Sequence, residues 1–346
     1  MEALQLTWFI LVFVLLGGYA MLDGFDLGVG VLHLTGKTDD ERRVGLNAIG
    51  PVWDGNEVWL LTAGGALFAA FPYDYATVFS AMYLALMLVL VALIMRAVSI
   101  EFRSKVESKR WRGFWDVCFF VGSLLPAILF GVAFGNILRG LPINMVNGRL
   151  MFVPGFFGGF FGLLNPYSVF IGILSLAMFT MHGSIYLAGK SQGVQQERLR
   201  RLALPLWMAV LLLYVIATGW TLAIRSELFN GLDTRWIFWV MMAVLGAGLI
   251  VTPGAVYSRK WFAAFLGSSA MILGMMGLSA VSLYPNLVPS TFASVYNLTI
   301  FNSSSTAYTL KTMLIIALVG MPLVIGYTIA IYLVFKGKVK IGRDSY

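Results

Sequence analysis

The sequence predicts an all-α polytopic membrane protein, and three observations carry that prediction. Charged residues make up only 12% of the chain and hydrophobic residues 59%, where soluble domains carry about 25% charged residues. The mean hydropathy is +0.85. Apolar runs of the length that crosses a bilayer as a helix, about 20 residues, recur along the whole chain. Nine such runs are expected, at about 6–32, 50–70, 74–97, 114–138, 166–187, 202–223, 236–256, 261–284 and 310–335.

The first run holds Asp23 and Asp26 late in its length, in Met21-Leu-Asp-Gly-Phe-Asp-Leu-Gly-Val-Gly30. The second opens with Asn47-Ala-Ile-Gly-Pro-Val-Trp-Asp-Gly-Asn-Glu-Val-Trp59, which brings in Trp53, Asp54, Asn56 and Glu57. Pro51 suits a first helical turn, where its missing N–H would be unpaired anyway. On one continuous helix, Asn47, Gly50, Asp54, Glu57, Leu61 and Gly64 recur at spacings of three and four and share a face. A charge at mid-bilayer costs about 2.5 to 3.5 kcal/mol on insertion scales, so such carboxylates face a partner or a water path. The fourth run contains Gly131-Val-Ala-Phe-Gly135, a spacing that lets helices approach closely and reads first as packing. The Phe- and Gly-rich stretch from Phe152 to Phe161 is too short for a span and reads as an interfacial or re-entrant piece. The connection from Pro285 to Thr309 is polar, and its Asn297-Leu-Thr is a weak match to a glycosylation sequon.

The Lys and Arg residues orient the spans. With the N-terminus outside, 19 of the 24 fall in inside connections, Arg96 and Arg103 among them, and 5 fall outside. Basic residues accumulate on the cytoplasmic side, so the expected topology is N-terminus out and C-terminus in. Asp23, Asp26, Asp54 and Glu57 then all lie toward the cytoplasm, as a polar inlet from that side. A structural ion pair with Arg96 or Arg103 is the competing reading of Asp23 and Asp26. The other reading is proton relay, because a desolvated carboxylate has its charged form disfavoured and can exchange a proton.

Other chemistry is sparse. The net charge of +8 follows membrane orientation rather than a nucleic-acid surface. Cys118 is the single cysteine, which excludes an internal disulfide and a multi-cysteine metal site. The N-terminus has no basic region ahead of its apolar run, so no cleaved signal peptide is expected. His33 and His182 are the only histidines. Both are read near cytoplasmic ends of spans, as surface or interfacial residues, so no haem or metal ligand is expected from this chain. Gly28-Val-Gly30 lies in a span, not after a strand, and is no phosphate loop.

These residues carry a family resemblance. Leu22 to Gly30 and Gly50 to Trp59 resemble subunit II of the cytochrome bd quinol oxidases, including the cyanide-insensitive oxidases. So do Leu60 to Pro72, Phe102-Arg103-Ser104-Lys105, Trp111-Arg112 with Trp115-Asp116, and Gly131 to Asn136. Position 57 is Glu where some members carry Gln. The resemblance implies a prokaryotic inner-membrane terminal oxidase that oxidises quinol and reduces dioxygen to water. It implies two four-helix bundles plus one additional helix, with about 1–140 as the first bundle and about 150–346 as the second bundle with the last helix. Two b haems, one d haem and the quinol-oxidising loop are expected in subunit I, the haem-bearing partner. A structural quinone in this subunit and a small single-span subunit occur among family members. The resemblance also assigns Asp54 to a cytoplasmic proton path; Glu57, Asp23 and Asp26 are read beside it as auxiliary or structural members. Two other classes use the same features: a proton-coupled transporter, disfavoured by the lack of an internal repeat, and a structural membrane scaffold.

Overall fold

Inside a bilayer no water is available to the backbone, so apolar runs satisfy their own N–H and C=O groups as helices. The computed structural model describes residues 1–154 and 159–342. The helices are α1 (Glu2–Leu32), α2 (Asp39–Ile49), α3 (Trp53–Ala70), α4 (Pro72–Ala81), α5 (Tyr83–Phe102) and α6 (Lys109–Arg139), followed by α7 (Gly159–Leu163), α8 (Pro166–Lys190), α9 (Gly193–Ile224), α10 (Trp236–Tyr257), α11 (Trp261–Leu283) and α12 (Ala307–Val334). Among the described residues, eight helices are long and apolar enough to cross a membrane: α1, α5, α6 and α8 to α12.

The expected count of nine therefore stands at eight by length and hydropathy. The run at 50–70 becomes α3, 18 residues long, with Asp54, Asn56 and Glu57 in its first turns. The chain is not one helix from Asn47 to Gly64. Pro51 cannot donate to the carbonyl of Asn47, which breaks the ladder. Gly50 to Val52 form a turn in which Val52 N–H donates to Ile49 O at 2.8 Å. Asn47 belongs to α2 and does not share a face with Asp54. The run at 74–97 is also split, at Met82, into the short α4 and the 20-residue α5. α9 begins at Gly193, so Arg198, Arg200 and Arg201 lie in a helix rather than in a connection.

The helix starts obey local chemistry. Thr38 caps α2 by accepting from Glu41 N–H, and Asp39, Asp40 and Glu41 fill the positive first turn. Asn165 caps α8 with Pro166 in its first turn. Helix packing depends on glycine. At Gly28 of α1 a Cβ would stand 1.9 Å from the carbonyl oxygen of Phe179 on α8, so the two backbones touch there. Gly131 and Gly135 of α6 do the same against Gly172 and Ser168 of α8, which commits that face to a helix of this chain.

One core runs through α1, α6 and α8 to α11, from Ala20 and Ala127 to Met271 and Leu278. α12 packs on α1 and α3, where Leu310 joins Trp8, Phe9 and Ala63. The two ends differ. The basic end gathers α2 and the starts of α6 and α9, tied by Arg42 to Asp116 at 2.6 Å and Arg198 to Glu41 at 2.6 Å. The opposite end carries two hairpins the sequence did not announce, β1 (Ile143–Val146) with β2 (Arg149–Phe152) and β3 (Asn286–Val288) with β4 (Leu298–Thr299). Of the stretch read as re-entrant, residues 155–158 lie outside the described residues; β2 ends before them and α7 begins after them.

Candidate functional site

Two of the four sequence-predicted acids lie on α1, three residues apart, and are fully buried: Asp23 and Asp26. Facing them are Asn56 and Glu57 from α3 and Arg96 from α5. The Arg96 guanidinium is also fully buried. It donates from Nη1 to Asp23 Oδ2 at 3.1 Å, and Nη2 lies 2.8 Å from Asp23 Oδ1 and 3.1 Å from Glu57 Oε2. The planar guanidinium suits such forked pairing with a carboxylate. The ion pair with Arg96, the competing sequence reading of Asp23, is therefore present, and Arg96 lies within α5 rather than in a connection as the charge count had it. Its position within the expected run 74–97 was the available signal.

Asp26 takes a different partner. Asn56 Nδ2 donates to Asp26 Oδ2 at 2.7 Å and to Leu22 O at 3.1 Å. The Tyr332 hydroxyl of α12 donates to Asn56 Oδ1 at 3.1 Å. Tyr19 and Tyr186 stand beside the acids. Asp23 and Glu57 thus share one guanidinium, and Asp26 stands beside them bonded to an amide. Acids outnumber cations in this cluster, three carboxylates to the one guanidinium of Arg96.

Asp54 stands apart from this cluster. It lies one turn toward the basic end from Glu57, exposed, on the outward face of α3 with Val58, Leu61 and Phe68. Among the described residues it has no hydrogen-bond or ion-pair partner. Trp53 packs at the edge of the core that includes Phe25 and Ile49. Asn47 donates to Arg43 O at 2.8 Å on its own helix, away from the acids.

A second charge cluster was not foreseen. Asp116 of α6 sits among His33, whose Nε2 is 2.6 Å from Oδ1, Arg42, whose Nη1 is 2.6 Å from Oδ2, and Arg103 Nε. Arg103 and Arg112 also bind Asp39, at 2.7 and 3.0 Å. His33 is buried, not a surface histidine as expected. At the rim of this end, burial works to raise the pKa of Glu41. Hydrogen bonds from Arg198 and from the backbone of Lys37 and Thr38 outweigh it, and the carboxyl lies below its ordinary range.

His182 also departs from expectation. It is fully buried in α8, stacked on Phe265 with ring centroids 4.8 Å apart. Its Nε2 is 2.9 Å from Met21 O and Nδ1 is 2.7 Å from Ser268 Oγ. A carbonyl only accepts, so Nε2 carries a proton and neither nitrogen is open to a metal. His33 commits Nε2 to Asp116 and packs edge-on against Phe119. The two histidines do not fit a haem pocket. The described residues contain no group of three or more His, Cys, Asp or Glu able to hold a metal ion.

Comparison with known proteins agrees with this architecture. Residues 4–335 match the family described as cytochrome bd terminal oxidase subunit II. The chain is 38% identical to the cytochrome bd ubiquinol oxidase subunit 2 of Bacillus subtilis, with 98% of each chain covered. It is 34% identical to the cytochrome bd-I ubiquinol oxidase subunit 2 of Escherichia coli K12, over 98% of this chain and 96% of that one. It is 37% identical to a probable cytochrome oxidase subunit 2 of Haemophilus influenzae, over 96% and 94%. A chain in the structure of the bd oxidase from Geobacillus thermodenitrificans has the same fold, with a TM-score of 0.77 at 16% identity, covering 96% of this chain and 99% of that one.

Proposed function

The chain belongs to the cytochrome bd terminal oxidase subunit II family, and on that basis we propose that its own part in the oxidase is a proton path entered at Asp54. It is a multi-pass subunit of an oxidoreductase complex of the bacterial inner membrane and implies a partner, subunit I. In this reading subunit I carries the b and d haems, oxidises quinol and reduces dioxygen. The present chain ligates no haem. It is one membrane domain, about 1–140 forming a first four-helix bundle and about 150–346 a second with the last helix. Nine spans, α3 included, put the N-terminus outside and the basic end in the cytoplasm.

The observation that carries the proton path is the outward position of Asp54. A carboxylate on an apolar helix face needs a partner or a water path, and among the described residues Asp54 has neither cation nor donor. Subunit I, set against this face of α3, would supply the receiving groups. Glu57 is one turn further from the basic end, bonded to Arg96, and leads to Asp23 and Asp26. Reduction of dioxygen consumes protons, and a file of carboxylates avoids stranding unpaired polar groups in apolar protein. A proton-coupled transporter would use the same acids, but the family match does not favour it.

Asp54→Asn keeps the shape and removes the titratable proton. Turnover of the purified complex is expected to fall at least about tenfold, a barrier rise of about 1.4 kcal/mol, with haem content unchanged. Asp54→Glu is expected to retain partial turnover. Wild-type turnover in Asp54→Asn would make Asp54 structural. The haem assignment has its own check. His33→Gln and His182→Gln are expected to leave every haem absorption band intact per assembled complex, and selective loss of one band would show a ligand in this chain.

A further inference from the structure

The proton path leaves one residue unused that touches it from the far end of the chain. Asn56 is buried and bridges α1 and α12 from its place on α3. Its amide end facing Leu22 O has to be nitrogen, because a carbonyl only accepts. That fixes the whole side chain: nitrogen toward Asp26 Oδ2 at 2.7 Å, oxygen toward the Tyr332 hydroxyl at 3.1 Å. Asp26 Oδ2 therefore accepts. Asp26 Oδ1 is buried and accepts from no described protein group. The two oxygens of this carboxyl are unlike, and a proton held by Asp26 belongs on Oδ1.

The groups facing Asp26 are Asp23 on its own helix, Glu57 and Asn56 on α3, Arg96 on α5, Tyr186 on α8 and Tyr332 on α12. Arg96 is engaged by Asp23 and Glu57. Asn56 is thus the hydrogen-bond donor to Asp26, and Tyr332 is the donor to Asn56. A hydroxyl bonded to the amide oxygen polarises the amide and strengthens its N–H bond to the carboxyl, as in any chain of hydrogen bonds in a low dielectric.

We propose that Tyr332 is a positioning residue for the proton path: acting through Asn56, it holds Asp26 with Oδ2 bonded and Oδ1 facing the side where protons are taken up and released. This rests on the proton-path reading given above. α12 packs against α1 and α3, with Tyr332 near its basic end and its ring edge-on to Phe25 at 6.4 Å. Loss of the hydroxyl alone leaves that ring contact in place.

The test uses the assembled complex with Tyr332→Phe. The infrared band of Asp26 is identified as the carboxyl or carboxylate band lost in Asp26→Asn. In Tyr332→Phe that band is expected to shift, upward in frequency for the protonated carboxyl, because the bond from Asn56 to Oδ2 weakens. The pH dependence of turnover is expected to move by about half a pH unit, the scale of a weakened hydrogen bond to a titrating group. A merely structural role would lower yield without moving either readout. An unshifted band with an unshifted pH profile, at wild-type haem content, overturns the proposal. Should Tyr332→Phe fail to assemble, Asn56→Leu is read in the same two ways from the other end of the link. Wild-type turnover in Asp26→Asn, together with a shifted Asp26 band in Tyr332→Phe, would remove Asp26 from the path and leave the positioning contact standing.

Discussion

The cluster around Arg96 and the cluster around Asp116 use the same residue types and differ in which sign is in excess. At Arg96, Asp23 and Glu57 share one guanidinium deep among the helices, and a third carboxylate, Asp26, is bonded to Asn56 beside them. At Asp116, one carboxylate is enclosed by His33, Arg42 and Arg103, and Asp39 pairs with both Arg103 and Arg112. Excess acid in a dry site disfavours ionisation of every carboxyl at once, which is why the proposed proton path is routed through this cluster. At Asp116 cationic groups outnumber the acid and both of its oxygens are bonded. Such a node fixes α1, α2 and α6 relative to one another and has no proton to give. Burial of charge alone therefore does not mark a proton path; the ratio of acids to cations does.

The largest expected effect breaks the first cluster. Arg96→Met leaves Asp23 and Glu57 buried without a cation, and removal of one partner of a buried pair costs about 3 to 5 kcal/mol. Assembled complex is expected to be nearly lost, measured as haem per unit membrane. Arg96→Met combined with Asp23→Asn is expected to recover part of it, because the orphaned charge is removed. No recovery would mean that Arg96 is held for some other contact.

The second cluster is expected to respond in stability rather than in rate. Asp116→Asn removes the charge facing two guanidiniums and alters the bond to His33, but Arg42 is partly exposed and Arg103 keeps Asp39, so the loss is about 1 to 3 kcal/mol. The purified complex is expected to melt at a lower temperature, with turnover per haem unchanged. A fall in turnover without a fall in melting temperature would move Asp116 into the proton path and erase the contrast.

The smallest effect lies at the rim of the same end. Glu41 has a folded pKa below its unfolded value near 4.5, so its ion pair with Arg198 stabilises above that pH and is lost as pH falls through the folded pKa. Glu41→Gln is expected to lower the melting temperature slightly at neutral pH. The difference from wild type should shrink steadily below about pH 4.5. A difference that persists under acid would assign the effect to the capping of α2 instead.

Sequence alone determined the elements whose evidence is local. α1, α6 and α8 to α12 were legible because partition of an apolar run into a bilayer depends on that run's own composition. Asp23, Asp26, Asp54 and Glu57 were legible because acids in apolar runs are rare. Where the chain breaks was less legible. Met82 interrupts a run that hydropathy reads as continuous, since an average over a window does not see one local break, and the turn at Gly50 to Val52 separates Asn47 from the face it was read to share with Asp54.

Which candidate pairs form was decided by the tertiary structure: Arg96 was one of two cations the sequence offered to Asp23, and the other pairs were not legible at all. Arg96 meets Asp23 from 73 residues away, His33 meets Asp116 from 83, and Tyr332 meets Asn56 from 276. Helix periodicity orders residues on one face but does not say which helix lies opposite. For that reason Glu57 could be placed near Asp54 in sequence yet turns inward to Arg96, while Asp54 turns out. His182 looked terminal by position and is central by packing, because its burial is set by Phe25 and Phe265 from two other helices. Burial and partner choice are properties of the assembled bundle, and they convert four acids in a list into one paired, one hydrogen-bonded, one shared and one facing outward.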